Sequence, residues 1–168
     1  GGGYYQTNGT TTFIAKSGGD GKNIEIPTTT TFKTSGDILD FQTSAIDLAN
    51  GANLTVSVGA ASTLDLSDIH GNSSETVTIT ASGNAQITLS DIGNGNEISD
   101  ISVTTGNSST SGFIKLTGDI VTSSTSDGST DTEVDFNGAV ILGDNTSITT
   151  NGGNLDFSTS IASVSTAK

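Results

Sequence analysis

Apolar and polar residues alternate in short runs along this chain. Residues 54–58 have the sequence LTVSV and residues 77–79 have VTI, so that every second side chain is aliphatic. Because successive side chains of a β-strand point to opposite faces of a sheet, this alternation predicts strands with one buried face. The turns between the runs are rich in Gly, Asn, Asp and Ser, which suit tight corners. No convincing helical segment is present, and the pattern therefore predicts an all-β chain.

One tetrapeptide recurs within these runs. Leu66-Ser67-Asp68-Ile69 returns unchanged at residues 89–92, twenty-three residues later, and a degenerate copy, ISDI, follows at 98–101. Self-similarity at a fixed period is typical of repeat architectures, in which each repeat buries its apolar face against the next. The repeat predicts stacked, equivalent units.

An apolar–X–apolar triplet recurs along the chain and is expected to mark equivalent strands of the proposed stack. Its members begin at Leu39, Leu64, Ile87, Ile114, Val134 and Leu155, and subtraction of these positions gives steps of 25, 23, 27, 20 and 21 residues. Four of the six central residues are Asp, which should point outward. Because like charges in register repel, Thr88 and Lys115 are expected to separate these carboxylates. A second strand of each unit is predicted at 54–58, 77–79, 101–103 and 140–142.

These steps predict a parallel β-helix, that is, a β-solenoid. Their variation also leaves room for a β-sandwich. We expect residues 13–168 to form a single solenoid domain. Residues 1–12, GGGYYQTNGTTT, lack a core pattern and are interpreted as a flexible or exchanged N-terminal arm. Side chains at the start of the chain are candidates for an assembly contact: Tyr4, Tyr5, Phe13 and Ile14.

Charge and composition narrow the choice of partners. The net charge is −13, with 18 acidic residues against five lysines and no arginine. A basic surface for phosphates is therefore not expected, which disfavours nucleic acid and anionic membrane surfaces. No apolar run is long enough for a membrane-spanning helix, so membrane insertion is not expected. The absence of cysteine excludes disulfides and thiolate metal sites.

The turns and strands of residues 134–161, VDFNGAVILGDNTSITTNGGNLDFSTSI, resemble the repeat regions of large secreted bacterial adhesins of the filamentous-haemagglutinin and autotransporter type. The resemblance rests on a Gly-Asp turn, an alternating strand and a Thr-Asn-Gly-Gly turn. It implies a right-handed β-helix at the cell surface or outside the cell, with a non-catalytic structural or adhesive role. Its partners would be surface glycans, surface proteins or further copies of itself. The matching positions are structural, so the resemblance carries no functional residues.

Calcium is the one candidate ion, and no organic cofactor is expected. Asp127, Asp131, Glu133 and Asp135 place four carboxylates within nine residues. A second oxygen-rich loop contains Asp91 and Asp100, with Asn94 and Asn96 between them. Calcium takes six to eight oxygen ligands from flexible loops, so either cluster has suitable chemistry. Solvated turns on an acidic surface are the alternative.

Catalysis is not expected, although some parallel β-helices cleave polysaccharides. Glycoside hydrolysis requires two carboxylates, which Asp65 with Asp68, or Asp131 with Asp135, could supply. The chain has no Trp or Arg, and its sole histidine, His70, lies in a Gly-Asn turn.

Self-assembly into an extracellular filament is the main alternative to simple adhesion. The ends of a solenoid expose unpaired N–H and C=O groups that can pair with another chain. Neither the N-terminal segment nor the C-terminal IASVSTAK has an evident charged cap. The chain could therefore stack on itself or donate its N-terminal strand.

Overall fold

The computed structural model describes residues 3–13, 23–36, 38–41, 44–60, 62–106, 112–123, 133–143 and 145–163, with the side chains of 162 and 163 left aside. The described residues contain strands and turns and no helix. Every pairing between these strands is parallel, as in β10 (Thr76–Ala81) with β12 (Asp100–Thr104). Parallel neighbours that follow one another at a fixed offset define a β-solenoid, which confirms the all-β parallel fold. The antiparallel pairing of a β-sandwich is not found in these ranges.

Two long sheets, A and B, contain seven strands each, and a shorter third face connects them. In spatial order sheet A comprises β1 (Gly3–Thr7), β4 (Thr30–Thr34), β7 (Leu54–Val58), β10, β12, β15 (Val134–Asn137) and β18 (Leu155–Phe157). Sheet B comprises β2 (Thr11–Thr12), β5 (Leu39–Asp40), β8 (Thr63–Leu66), β11 (Gln86–Leu89), β13 (Phe113–Leu116), β16 (Val140–Leu142) and β19 (Ile161–Ser163). The third face comprises β3 (Ile24–Ile26), β6 (Ile46–Leu48), β9 (Ile69–His70), the bridging residue Ile92, β14 (Ile120–Thr122) and β17 (Ile148–Thr150).

The residues that face inward on each strand follow the alternating sequence pattern. Along β7 the burial alternates as predicted, with Leu54, Val56 and Val58 buried and the residues between them half-buried. Residues in register form columns through the stack: Phe32, Val56, Ile79, Val103 and Phe136 make one inward column of sheet A. Such columns of β-branched and aliphatic side chains form a thin continuous core.

The single triplet series expected from the sequence is wrong after Ile114. The triplets at 134–136 and 155–157 lie in sheet A, whereas the strand at 140–142, expected on the other face, pairs with β13 in sheet B. The error arises because both sheets bury alternate residues, so the same triplet suits either one.

Residues 3–12 belong to the stack rather than to a separate arm. β1 pairs with β4 over five residues, from Gly3↔Thr30 to Thr7↔Thr34, and β2 pairs with β5. Tyr5 contributes an aromatic side chain to the end of an inward column, a position that aliphatic alternation alone does not reveal. Residues 1 and 2 lie outside the described ranges.

Two aspartate pairs stack in register, contrary to the expected separation. Asp40 pairs with Asp65 on the outer face of sheet B, and Asp135 pairs with Asp156 on that of sheet A. Thr88 and Lys115 follow Asp65 in its column, as the sequence suggested.

Candidate functional site

The aspartates of the two LSDI copies and Asp119 form a ladder at the corner before the third face. The Asp68 Oδ1 atom accepts hydrogen bonds from the Ser90 hydroxyl at 2.7 Å and the Asp91 N–H at 3.3 Å. Asp91 Oδ1 accepts the Asp119 N–H at 2.7 Å, and Asp119 Oδ1 accepts the Ser147 N–H at 2.8 Å. Each carboxylate thus accepts a backbone N–H from the next turn of the solenoid, and each such turn is called a strand level below. The repeat therefore has a structural role.

The carboxylates proposed for calcium are separated or engaged in other contacts. Asp127 and Asp131 lie outside the described residues. Glu133 is buried and accepts the N–H of Asn154, while Asp135 accepts the Ser102 hydroxyl at 3.3 Å. Within the described ranges, no three His, Cys, Asp or Glu side chains form a group that could hold a metal ion. Calcium binding by the first cluster stays a prediction that depends on Asp127 and Asp131.

The second calcium loop separates in the fold. Asp91 belongs to the corner ladder, whereas Asp100 starts β12 in sheet A and accepts the Ser99 hydroxyl at 2.7 Å. The degenerate ISDI copy at 98–101 is therefore not equivalent to the two LSDI copies. Corresponding residues of the ISDI and LSDI copies lie on different faces of the solenoid.

An aspartate–histidine pair on the third face was not anticipated. Asp47 and His70 are paired in register on β6 and β9, with 3.0 Å between Asp47 Oδ1 and His70 Nδ1. The Asn23 amide donates to Asp47 Oδ2 at 2.6 Å, so both carboxylate oxygens are engaged. The separation of 23 residues between Asp47 and His70 equals the LSDI period, which is the signal that could have revealed the pair.

The pair borders a shallow polar groove that Asn96, Gly71 and Leu48 also line. The lining residues include no hydroxyl or thiol nucleophile. Hydrogen bonding to Asp47 orients the imidazole of His70, and that arrangement presents a fixed polar surface.

The two carboxylates considered for glycoside hydrolysis have different environments. Asp68 is engaged in the corner ladder, whereas Asp65 is exposed on the outer face of sheet B. Desolvation and the neighbouring Asp40 carboxylate raise the pKa of Asp65, and the Lys115 ammonium group opposes this effect. The raised pKa of Asp65 therefore results first from desolvation and then from its in-register pairing with Asp40.

We expect Asp65→Asn to stabilise the fold at pH 7 by roughly 0.5 kcal/mol, because it removes repulsion between residues directly opposite each other. A group whose pKa is raised on folding weakens the fold above that pKa, and the penalty is relieved as the pH falls through it. The gain should therefore shrink between pH 7 and pH 3, as measured by urea unfolding. Asp40→Asn should give a similar gain, and the double variant less than the sum of the two. A strictly additive double variant would contradict the coupling.

Aromatic side chains are concentrated at the two ends of the stack. At the first end, Phe13 contacts Tyr5, Phe32 and Phe41, with ring centroids 5.2, 5.0 and 5.1 Å apart. At the other end, Phe136 and Phe157 stack at 5.4 Å. Of the proposed assembly residues, Tyr4 and Tyr5 are exposed and Phe13 packs against the core, while Ile14 lies outside the described residues.

The part of the chain described here contains no helix of the length and apolarity needed to cross a membrane. In comparisons with protein-family models, curated proteins and solved structures, nothing matches this chain. The resemblance to secreted adhesin repeats therefore stays a prediction, and the functional argument rests on the solenoid itself.

Proposed function

We propose that the chain is a non-catalytic structural or adhesive segment that works outside the cell, as a β-solenoid stalk or adhesin segment. Surface glycans or proteins, or further copies of the chain, are its proposed partners. The supporting observation is the uninterrupted parallel stack, in which sheets A and B each run through seven strands. With a spacing of about 4.8 Å between strands, the six intervals of one sheet span roughly 29 Å.

The side chains support a load-bearing role. Inward columns are apolar and buried from Phe32 to Phe136, so each strand level depends on its neighbours. Outward columns consist largely of Thr, Ser and Asp, which keep the surface hydrated and acidic. The corner ladder from Asp68 to Ser147 adds side-chain bonds between levels. Such a body extends along one axis and presents a repeated polar surface, as a stalk or an adhesive surface requires.

Attachment under flow tests the adhesive role. Beads coated with the chain are expected to adhere to immobilised surface glycans or extracellular-matrix proteins, because a folded solenoid presents its outward columns in fixed register. Beads coated with Leu66→Asp, which disrupts the core, should lose that adhesion, while Ser67→Ala should retain it. Equal retention by the folded and disrupted chains would contradict fold-dependent adhesion.

Single-molecule stretching tests the stalk role. The chain should resist extension and then lengthen in steps of one strand level, about 75 Å for 23 residues at roughly 3.3 Å per residue. A chain that neither adheres nor resists force would overturn the proposal. Release of reducing sugars from polysaccharides, abolished by Asp65→Asn, would replace it with a catalytic function.

A further inference from the structure

We infer that the two ends of the solenoid are complementary, and that copies of this chain stack head to tail through them. β18 and β19 of one copy would pair with β1 and β2 of the next. This inference rests on the structural function proposed above and names a second copy as the partner. It follows from exposure, register, hydrogen bonding and charge at the end strands.

Exposed apolar side chains are concentrated on the end strands. Among the described residues five large hydrophobic side chains are exposed, and four lie on the first or last strands: Tyr4 (65%), Tyr5 (40%), Leu155 (44%) and Ile161 (50%). Leu155 and Ile161 occupy inward columns, where their partners on the preceding strands, Val134 and Val140, are fully buried. They lie on the last described strands of sheets A and B, so no described strand covers them.

The register of the stack specifies which residues would meet. Phe157 ends the inward column that contains Phe136, and Tyr5 begins the same column before Phe32. A second copy placed in register would set Tyr5 against Phe157. Phe136 and Phe157 are already 5.4 Å apart, and Tyr5 and Phe32 are 6.1 Å apart, so the junction would form a row of four aromatic rings. Aromatic contacts at such distances contribute beyond the area that they bury.

The other inward columns fit in size. Leu155 would lie against Gly3, which occupies the same column and leaves room for the leucine side chain. Ile161 would lie against Thr11, which begins the sheet B column. Large side chains on one end thus meet smaller ones on the other, as in a packed interior.

Backbone hydrogen bonding would continue across the junction. Within the stack, the N–H of an inward residue donates to the carbonyl one level on, as from Thr11 to Ile38 at 2.9 Å and from Val140 to Ser160 at 3.0 Å. By the same pattern, the N–H of Ile161 would donate to the carbonyl of Thr10 in the next copy. Unpaired strand edges favour such addition.

Charge at the junction favours this register despite the net charge of −13. Asp156 is the one charged residue on β1, β2, β18 and β19, and its outward column would place it beside Tyr4. No two carboxylates of these strands would therefore meet across the junction. A head-to-tail contact of this kind does not close and generates filaments.

Sedimentation velocity over a range of concentrations tests the inference at physiological salt. The chain is expected to associate as concentration rises, and negative-stain electron microscopy should show fibres of uniform width. Tyr4→Asp places a carboxylate opposite Asp156 and should weaken association about fivefold. Tyr4→Lys places an ammonium group there and should strengthen it by a similar factor. Tyr4 is exposed, so both variants should fold normally.

A charge exchange checks the register. Adding Asp156→Lys to Tyr4→Asp should restore association, because the opposed charges become complementary. Leu155→Lys should reduce it about tenfold or more, since it places a charge in an apolar column. Thr78→Lys provides the matched control, because Thr78 is exposed on β10, in the middle of sheet A, and its change introduces the same charge. It should leave association unchanged.

Two results would overturn the inference. Folded monomers at every concentration would assign the end faces to flanking segments of the same polypeptide, and would leave the stalk or adhesin function intact. Association that responds to Thr78→Lys as strongly as to Leu155→Lys would show a contact elsewhere on the surface. Loss of folding in the unsubstituted chain, seen by circular dichroism, would instead contradict the proposed function and the inference together.

Discussion

Leu66→Asp is expected to unfold the strand levels around β8, with a loss of about 4 kcal/mol or more in unfolding free energy. Leu66 is fully buried in the core, and its column continues through Leu89 in β11. A carboxylate there would have no cation or donor to compensate its desolvation. A loss of this size is a large part of the stability of an ordinary domain. Circular dichroism during thermal unfolding should show a lower and broader transition.

Ser67→Ala is the matched control at the next residue. Ser67 is half-buried at the end of β8, outside the core columns, and its substitution should change the unfolding free energy by less than about 0.5 kcal/mol. If both substitutions cost the same, the assignment of inward and outward positions would be wrong.

Glu75→Gln is expected to destabilise the fold by about 2–3 kcal/mol at pH 7, since it replaces a buried charged acceptor. The Glu75 carboxylate is fully buried and accepts hydrogen bonds from the Gly51 N–H at 2.8 Å, the Ser74 hydroxyl at 2.9 Å, the Ser74 N–H at 3.2 Å and the Asn72 N–H. An amide would present its own N–H groups to some of these donors. Urea unfolding of both proteins measures the difference.

The pH dependence distinguishes the charge of Glu75 from its shape. Burial raises the pKa of Glu75, but the hydrogen bonds from Asn72, Gly51 and Ser74 outweigh it and hold the pKa below its ordinary value. A carboxyl with a lowered pKa stabilises the fold above the unfolded-state pKa, and this contribution is lost as the pH falls through the folded-state value. The difference between wild type and Glu75→Gln should therefore narrow below about pH 4.

Glu97→Gln is the appropriate comparison, because Glu97 is exposed and carries the same chemical group. It should alter stability by less than about 0.5 kcal/mol at pH 7. An equal effect of both substitutions would show that net charge, rather than the Glu75 hydrogen bonds, controls stability.

The sequence alone predicted the local structure well where one periodicity dominates. From Leu54 to Val103 the alternating residues face inward as expected, because only that phase buries the β-branched side chains. The prediction failed where strands of different sheets have the same sequence pattern. The triplet at 134–136 in sheet A has the same pattern as the triplet at 64–66 in sheet B. The intervening strand β14 is only three residues long.

The polar contacts could not be predicted from the sequence for a different reason. Asp47 and His70 contact each other across 23 residues of sequence, and Glu75 accepts one of its hydrogen bonds from Gly51, 24 residues away. Such contacts depend on the exact register of the stack, which the composition and the repeat spacing do not determine. The aspartate of the LSDI repeat is evident in the sequence, but its hydrogen bond to the next level depends on the three-dimensional corner.

The columns remain in register although the chain takes very different lengths to complete a level. Ile101 and Val134 are neighbours across 33 residues, whereas Val134 and Leu155 are neighbours across 21. At the level of the gene, the turns can therefore gain or lose codons freely, while a single codon inserted within a strand reverses its inward and outward faces. Unequal recombination between two LSDI copies would add or remove one whole level of about 4.8 Å. The length of the molecule can thus change through mutation by whole levels, while the strands at both ends stay the same.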